Sequence, residues 1–171
     1  ALRRCCTGRC GAARPPRALR GSAPVAAAAL AASMVFPWAA AVLVTRAVQT
    51  WGADPSRAFS RIDNARRLNP LSTDADLAGG AIASRLGRHA LMRQYFSQAI
   101  AREPRNWYAH LELAVAASHD RRWGVAVRQV SVARRLNPLE PTIPYVAGEV
   151  AARKPVDSTA LDQIFLDRIR Q

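Results

Sequence analysis

Apolar residues recur along the chain at helical spacing, in short blocks that are separated by turn-forming residues. Asp54 directly before Pro55 is typical of a helix start, and Gly87 is typical of a break between two helices. The blocks predict helices over about residues 54–68, 72–86, 88–102, 106–118, 122–136, 141–153 and 157–171. The predicted fold class is therefore all-α.

An uncharged, Ala-rich run precedes these blocks. Residues 23–44 carry no charge, and as a helix they would span roughly 33 Å, about the thickness of a hydrocarbon core. We therefore expect a transmembrane helix over residues 23–45. Pro37 and the three alanines at residues 39–41 leave open a second interpretation, a signal peptide that is cleaved.

Basic residues are distributed unevenly around this run. Six Arg residues precede it, whereas Arg46 and Arg57 are the two basic residues among the fifteen that follow. Because basic residues stay in the cytoplasm, we expect residues 1–22 to form a disordered Arg-rich cytoplasmic segment and the rest to lie on the extracytoplasmic side of the cell membrane.

The most specific pattern is an internal repeat. The heptapeptide Ala-Arg-Arg-Leu-Asn-Pro-Leu occurs at residues 65–71 and again at residues 133–139. Pro70, Pro104 and Pro138 are evenly spaced by 34 residues. Small residues recur in the same phase at Gly80, Ala114 and Gly148, and apolar residues at Ile62, Phe96 and Val130.

A period of 34 residues resembles the tetratricopeptide repeat family. The resemblance implies a solenoid of helical hairpins, with about three repeats over residues 46–156 and a capping helix over residues 157–171. Met92 and Arg121 depart from the residues usual in the family, and Gly79-Gly80 is expected to weaken the second unit.

The chemistry visible in the sequence does not favour an enzyme. The net charge is +13, but 24 of the 25 basic residues are Arg, a bias that GC-rich coding can produce without selection for any ligand. We therefore expect no nucleic acid partner. Asp74 and Asp76 fit the first turn of a helix, where carboxylates stabilise the dipole. Three Cys within the first ten residues and three scattered His lack the spacing of a metal site. We expect no catalytic residue, no metal site and no cofactor.

The resemblance places ligand-facing positions on the first helix of each repeat. The predicted groove residues are Arg85, Tyr108, Leu111, His119, Tyr145, Glu149 and Arg153. Ala81 and Val115 stand where members that bind chaperone tails have Asn. The expected partners are a protein or peptide in the groove, membrane lipid along residues 23–45 and, as a further candidate, a glycan.

A narrower resemblance gives an alternative function. The Pro-kinked span, Trp51, Asp54-Pro55, Leu-Asn-Pro-Leu-Ser at residues 68–72 and Pro-Arg-Asn-Trp at residues 104–107 are similar to the C-terminal tails of O-antigen ligase-like membrane proteins. The main hypothesis is a membrane-anchored scaffold for protein–protein interaction at the bacterial cell envelope. The alternative is the accessory tail of a longer, glycan-transferring protein.

Overall fold

The computed structural model describes residues 22–169, with side chains over residues 34–161 and at residues 163 and 164, and every element in that range is a helix. The helices are α1 (Ser22–Thr50), α2 (Pro55–Leu68), α3 (Asp74–Arg85), α4 (His89–Arg102), α5 (Trp107–His119), α6 (Trp123–Leu136), α7 (Thr142–Ala151) and α8 (Ser158–Ile169). The described residues divide into two units, one that ends at residue 35 and one that begins at residue 36. The predicted Arg-rich segment, apart from its last residue, lies outside the described range.

Local signals set the starts of several helices where the sequence predicted them. The Asp54 carboxylate accepts a hydrogen bond from the backbone N–H of Arg57 at 2.9 Å, which caps α2. The Asn106 side chain accepts one from the N–H of Ala109 at 3.1 Å, which caps α5. Asp157 does the same for α8 through the N–H of Thr159 at 2.8 Å.

The 34-residue period is confirmed by the residues that the core contains. Repeating apolar and small positions are all nearly inaccessible to solvent: Ile62, Ala65, Phe96, Ala99, Val130 and Ala133. Each lies on the second helix of a hairpin, which packs against the first helix of its own or the next unit. Burial of these side chains is the main stabilising contribution, at about 25 cal/mol per Å² of apolar surface.

The membrane span predicted over residues 23–45 is not found. A helix does cover these residues, but among residues 22–169 no helix is both long enough and apolar enough to cross a membrane. Many of its residues are Ala, which contributes little to insertion. Within the second unit, Ala40 and Ala47 are buried, and Leu43 and Val44 pack on the same cluster as Ile62. Part of the apolar run therefore packs against protein.

Gly79 and Gly80 allow α3 and α4 to approach each other closely. A Cβ atom at Gly79 would lie 2.9 Å from the ring of Tyr95, and one at Gly80 would lie 2.6 Å from the ring of Phe96. The expectation that these glycines weaken this unit considered only helix propensity. The structure adds a packing role, because no larger residue fits without moving the rings.

Asp76, on α3, forms ion pairs with residues of both α2 and α4. Its side chain is fully buried, its Oδ1 lies 2.9 Å from Nε of Arg66 on α2, and its Oδ2 pairs with Nη1 of Arg102 on α4. Asp74 lies in the first turn of α3, where the sequence analysis placed both carboxylates as dipole partners. Asp76 has the additional role of a buried ion-pair centre.

The same type of turn ends three helices, α3, α5 and α7. The residue with positive φ is Gly87 after α3, Arg121 after α5 and Arg153 after α7, with φ of 64°, 55° and 54°. In each turn the next backbone N–H bonds to the carbonyl five residues earlier, at 2.8 to 2.9 Å. These turns lie 34 and then 32 residues apart, so the period breaks in the last unit.

The chain takes a different path after the third turn. His89 and Trp123, two residues beyond the first two turns, begin the second helices α4 and α6. Pro155 has the corresponding place in the last unit, but residues 154–157 are not helical and α8 begins at Ser158. The predicted capping helix therefore exists, but it does not follow α7 as a regular second helix.

Candidate functional site

Two adjoining cavities lie along the first helices of the repeats; we call this surface the first-helix groove. The cavities have volumes of about 320 and 440 Å³. The smaller is lined by Ala81, Ser84, Arg85, Tyr108, Glu112, Ser158 and Leu161. The larger is lined by Trp51, Ser84, Arg85, Gly87, His89, His119, Val156, Asp157, Ser158 and Thr159.

Three predicted groove residues are brought together by these cavities. Arg85, in the last turn of α3, lines both of them. Tyr108 is the second residue of α5 and lines the smaller one, and His119 ends α5 and lines the larger. The Tyr108 ring packs edge-to-face on Phe96, with the ring centroids 6.0 Å apart, so a core residue fixes its orientation.

Two histidines form the wall of the larger cavity. The rings of His89 and His119 stack with centroids 4.0 Å apart and planes 12° from parallel. Burial and, secondarily, the nearby charge of His89 lower the pKa of His119, while the Val156 backbone and the Asp157 carboxylate oppose that effect. The neutral form of His119 is therefore favoured in this wall.

Tyr145 and Glu149 lie beside the groove on α7. Burial raises the pKa of the Tyr145 phenol, and the carboxylates of Glu149 and Asp157 raise it further. Asp157, which affects the Tyr145 phenol, also lines the larger cavity, so Tyr145 lies close to the groove. Both side chains are partly exposed.

Two predicted groove residues occupy other places. Leu111 is 1% exposed and belongs to the hydrophobic core, because its side of α5 faces the neighbouring helices. Arg153 is exposed, with a positive φ in the turn after α7, and lines neither cavity. On α5, Tyr108 therefore faces the groove, whereas Leu111, about one turn later, faces the core.

The stretch from residue 156 to residue 161 supplies groove residues that the sequence analysis missed. Val156, Asp157, Ser158 and Leu161 all line the cavities, although they follow the last repeat. The cap at Asp157 was recognised, but no local signal indicates where the helix after it would pack. Glu112, on α5, is also a lining residue and was not predicted.

No metal-binding cluster of three or more His, Cys, Asp or Glu residues occurs in the part of the chain that the structure describes. His89 and His119 are also not placed to bind one metal ion together. Ring nitrogens coordinate a metal in the plane of the ring, and two nearly parallel planes about 4 Å apart do not converge on one ion.

Comparison with known proteins finds similar structures but no similar sequence. No family model matches the chain, and no curated protein matches it. Solved structures do match, and three of them cover 67% to 75% of this chain. At the identities observed, that likeness establishes the fold alone.

Three solved structures are similar to this chain. The Arabidopsis OM64 TPR domain has 17% identity and a TM-score of 0.61, covering 67% of this chain and 96% of that domain. The first TPR of Spaghetti (RPAP3), bound to the HSP90 peptide SRMEEVD, has 13% identity and a TM-score of 0.63, covering 68% and 93%. A MamA RS-1 ArsTM double mutant has 21% identity and a TM-score of 0.59, covering 75% of each chain.

These matches agree with the 34-residue period read from the sequence. None of the three supports the resemblance to O-antigen ligase-like tails. The chain therefore has the helical-hairpin fold of tetratricopeptide repeat domains.

Proposed function

We propose that this chain is a non-enzymatic interaction module that binds an extended polypeptide partner in the first-helix groove. The observation that carries the proposal is the meeting of Arg85, Tyr108 and His119 at two adjoining cavities. An aromatic ring, a guanidinium and an imidazole suit a peptide, because they offer flat apolar contact together with hydrogen bonds.

Two further observations support a peptide ligand. A solved domain of the same fold is bound to the peptide SRMEEVD, which carries three acidic residues. The protein also carries a net charge of +13, which favours association with acidic partners.

A photo-crosslinking amino acid at position 81, which lines the smaller cavity, tests the proposal. We expect polypeptide adducts that map to one segment of one partner, and we expect Tyr108→Ala to reduce their yield at least five-fold. The matched control is the same amino acid at Ser97, an exposed position on α4 away from the cavities. Equal adducts from positions 81 and 97, or no polypeptide adduct from position 81, would refute a groove-binding role.

A second candidate role is attachment to a membrane at the cell envelope, with the repeats on the extracytoplasmic side. Phe36 and Trp38 on α1 are 51% and 68% exposed, and Met34 just before them is 77% exposed. Aromatic residues at such positions partition into the interface of a bilayer. The six Arg residues before α1 favour contact with anionic lipid headgroups.

Flotation with vesicles of phosphatidylcholine and phosphatidylglycerol tests this role. We expect Phe36→Ser with Trp38→Ser to reduce the bound fraction at least five-fold. The matched control is Leu71→Ser with Leu139→Ser, since both leucines are 90% exposed but lie in turns outside α1. If both pairs have the same effect, attachment through α1 is wrong. A cysteine at position 139 that reacts with an impermeant thiol reagent only after cell lysis would reverse the proposed orientation.

A further inference from the structure

The first-helix groove already contains a peptide, namely residues 154–161 of this chain, which we call the C-terminal segment. Val156 is fully buried and Leu161 is 4% exposed. Both belong to the hydrophobic cluster that the repeats form around Val115 and Ile143. The segment is therefore packed into the groove.

The backbone of this segment is held as that of a bound peptide is held. The Val156 N–H donates to Oγ of Ser118 at 3.1 Å, and that hydroxyl in turn donates to the Val115 carbonyl at 2.7 Å. The Val156 backbone also lies close enough to the His119 ring to influence it. Residues 154–157 are not helical, so these contacts are made to an irregular chain.

The side chains of the segment define what this site accepts. Val156 fills a buried apolar position. Asp157 follows it, is exposed and caps α8 through the Thr159 N–H. Its carboxylate is close enough to the His119 and Tyr145 side chains to affect their pKa values, and it lines the same cavity as Arg85. Two of these groups are hydrogen-bond donors when neutral, and Arg85 is cationic. The site therefore combines a buried apolar pocket with an adjacent position for a carboxylate.

We propose that this site recognises an extended partner segment in which an apolar residue is followed directly by an acidic residue, and that the C-terminal segment competes with the partner by occupying the site in cis. This inference rests on the proposed function, because it names the ligand class of the same groove. Binding of the partner then requires displacement of Val156 and Asp157.

Displacement is sterically possible because a second apolar surface lies within the same unit. After the turn at Arg153 the chain makes no regular second helix, and the face of α6 and α7 where such a helix would pack remains open. Val127 there is 50% exposed, beside a cavity of about 140 Å³ that Val150 also lines. A displaced α8 can settle on this surface.

The test uses the full chain and a synthetic peptide of residues 153–162, RKPVDSTALD, labelled for fluorescence anisotropy. The variant Val156→Asp with Leu161→Asp is expected to release the C-terminal segment and to bind the peptide at least ten-fold more tightly than the parent. A peptide with Val and Asp exchanged, RKPDVSTALD, is expected to bind the variant at least ten-fold more weakly. Gln163→Asp, an exposed acidic substitution on α8, is the matched control and should behave as the parent.

The remaining outcomes decide between the two proposals. Equal affinity of the parent and the released variant would overturn competition in cis, and equal affinity for both peptides would overturn the apolar–acidic specificity. If no variant binds the peptide while position 81 still crosslinks to a partner, this inference fails and the proposed function stands. If no variant binds the peptide and position 81 gives no crosslink, this inference and the proposed function both fail.

Two checks keep the test independent of folding. Circular dichroism should show that the released variant keeps its helix content and a cooperative melt. Ser118→Ala in the released background removes the acceptor for the peptide N–H and should weaken peptide binding several-fold without loss of helix content. If the released variant is unfolded, the parent protein with a protease site at residues 153–155 replaces it. After cleavage at that site, the cut segment should exchange with the labelled peptide. Failure to exchange would overturn the proposal.

Discussion

The hairpin α3–α4 and the last pair α7–α8 start from the same repeat pattern and end differently. In the first, Gly80 faces Phe96 across a close helix contact; in the second, Gly148 at the same phase faces open space, with no neighbouring atom within 4 Å of where a Cβ would lie. Asp76 is the centre of two buried ion pairs, whereas Pro144, two periods later, is exposed. The α3 helix is followed by a regular second helix, whereas the chain after α7 lines the first-helix groove with residues 156–159 and Leu161.

The largest expected effect concerns the ion pairs of the first hairpin. Asp76→Ala leaves Arg66 and Arg102 without their buried partner, so we expect the free energy of unfolding to fall by about 3 kcal/mol or more. Asp63→Ala is the matched control, because this carboxylate is 53% exposed and lies 3.6 Å from Arg66. We expect that change to cost under about 1 kcal/mol. Equal losses in urea titrations would contradict the assignment.

The two glycines at the same phase give the next test. Gly80→Ala forces a Cβ against the Phe96 ring and should destabilise the protein by about 1–3 kcal/mol. Gly148→Ala meets open space inside a helix and should stabilise it by about 0.5–1 kcal/mol. Opposite signs in thermal melts are the result expected if α7 lacks a packed second helix. A loss at both positions would mean that a helix covers Gly148.

Sequence signals predicted the regular repeats from α2 to α6 much better than the last pair, α7–α8. Caps such as Asp54 and Asn106 and the break at Gly87 are local, so helix boundaries followed from them within a few residues. The path after Arg153 depends on whether Val156 is more stable in the groove or on α7. That is a difference between two tertiary contacts, and no local pattern encodes it.

The same limit explains the outcome for α1 and for Leu111. An apolar run is compatible with lipid and with protein, and Ala40 and Ala47 are buried against protein. Tyr108 and Leu111 are three residues apart on α5, which is nearly one turn, so a small rotation of the helix decides which of them faces the groove. Period and phase predicted the fold and selected Arg85, Tyr108 and His119, which line the two cavities, but they did not predict the segment that packs there.

Acid should loosen the contact between the C-terminal segment and the repeats. The folded-state pKa of His119 is lowered by burial and by His89, so its contribution to stability is complete above the unfolded value of about 6.5 and is lost as the pH falls below it. Asp157, the facing carboxylate, reduces this effect. We expect the urea midpoint to fall more between pH 7.5 and pH 5 in the parent than in His119→Gln. An equal fall in both proteins would exclude a role for His119.

The smallest expected effect lies in the turns. Arg121→Gly relieves a positive φ of 55° on a side-chain-bearing residue, and we expect a gain of about 1 kcal/mol or less. Gly87→Arg makes the reverse change at the equivalent turn and should lose a similar amount. Arg153→Gly extends the comparison to the last unit, where we expect the same gain as at position 121. Melting temperatures measure all three, and a loss at 121 or 153 would indicate that the turn differs in solution.

Amide hydrogen exchange at Val156 tests most directly whether the C-terminal segment lies in the first-helix groove. This amide belongs to a non-helical stretch, yet it is buried and donates to Oγ of Ser118 at 3.1 Å. The reference is the amide of Ser158, which begins α8 and so has no acceptor within that helix. We predict that Val156 exchanges at least a hundred-fold more slowly than Ser158, and that Ser118→Ala removes most of this protection. Exchange at Val156 as fast as at Ser158 would contradict a groove that is filled by its own chain.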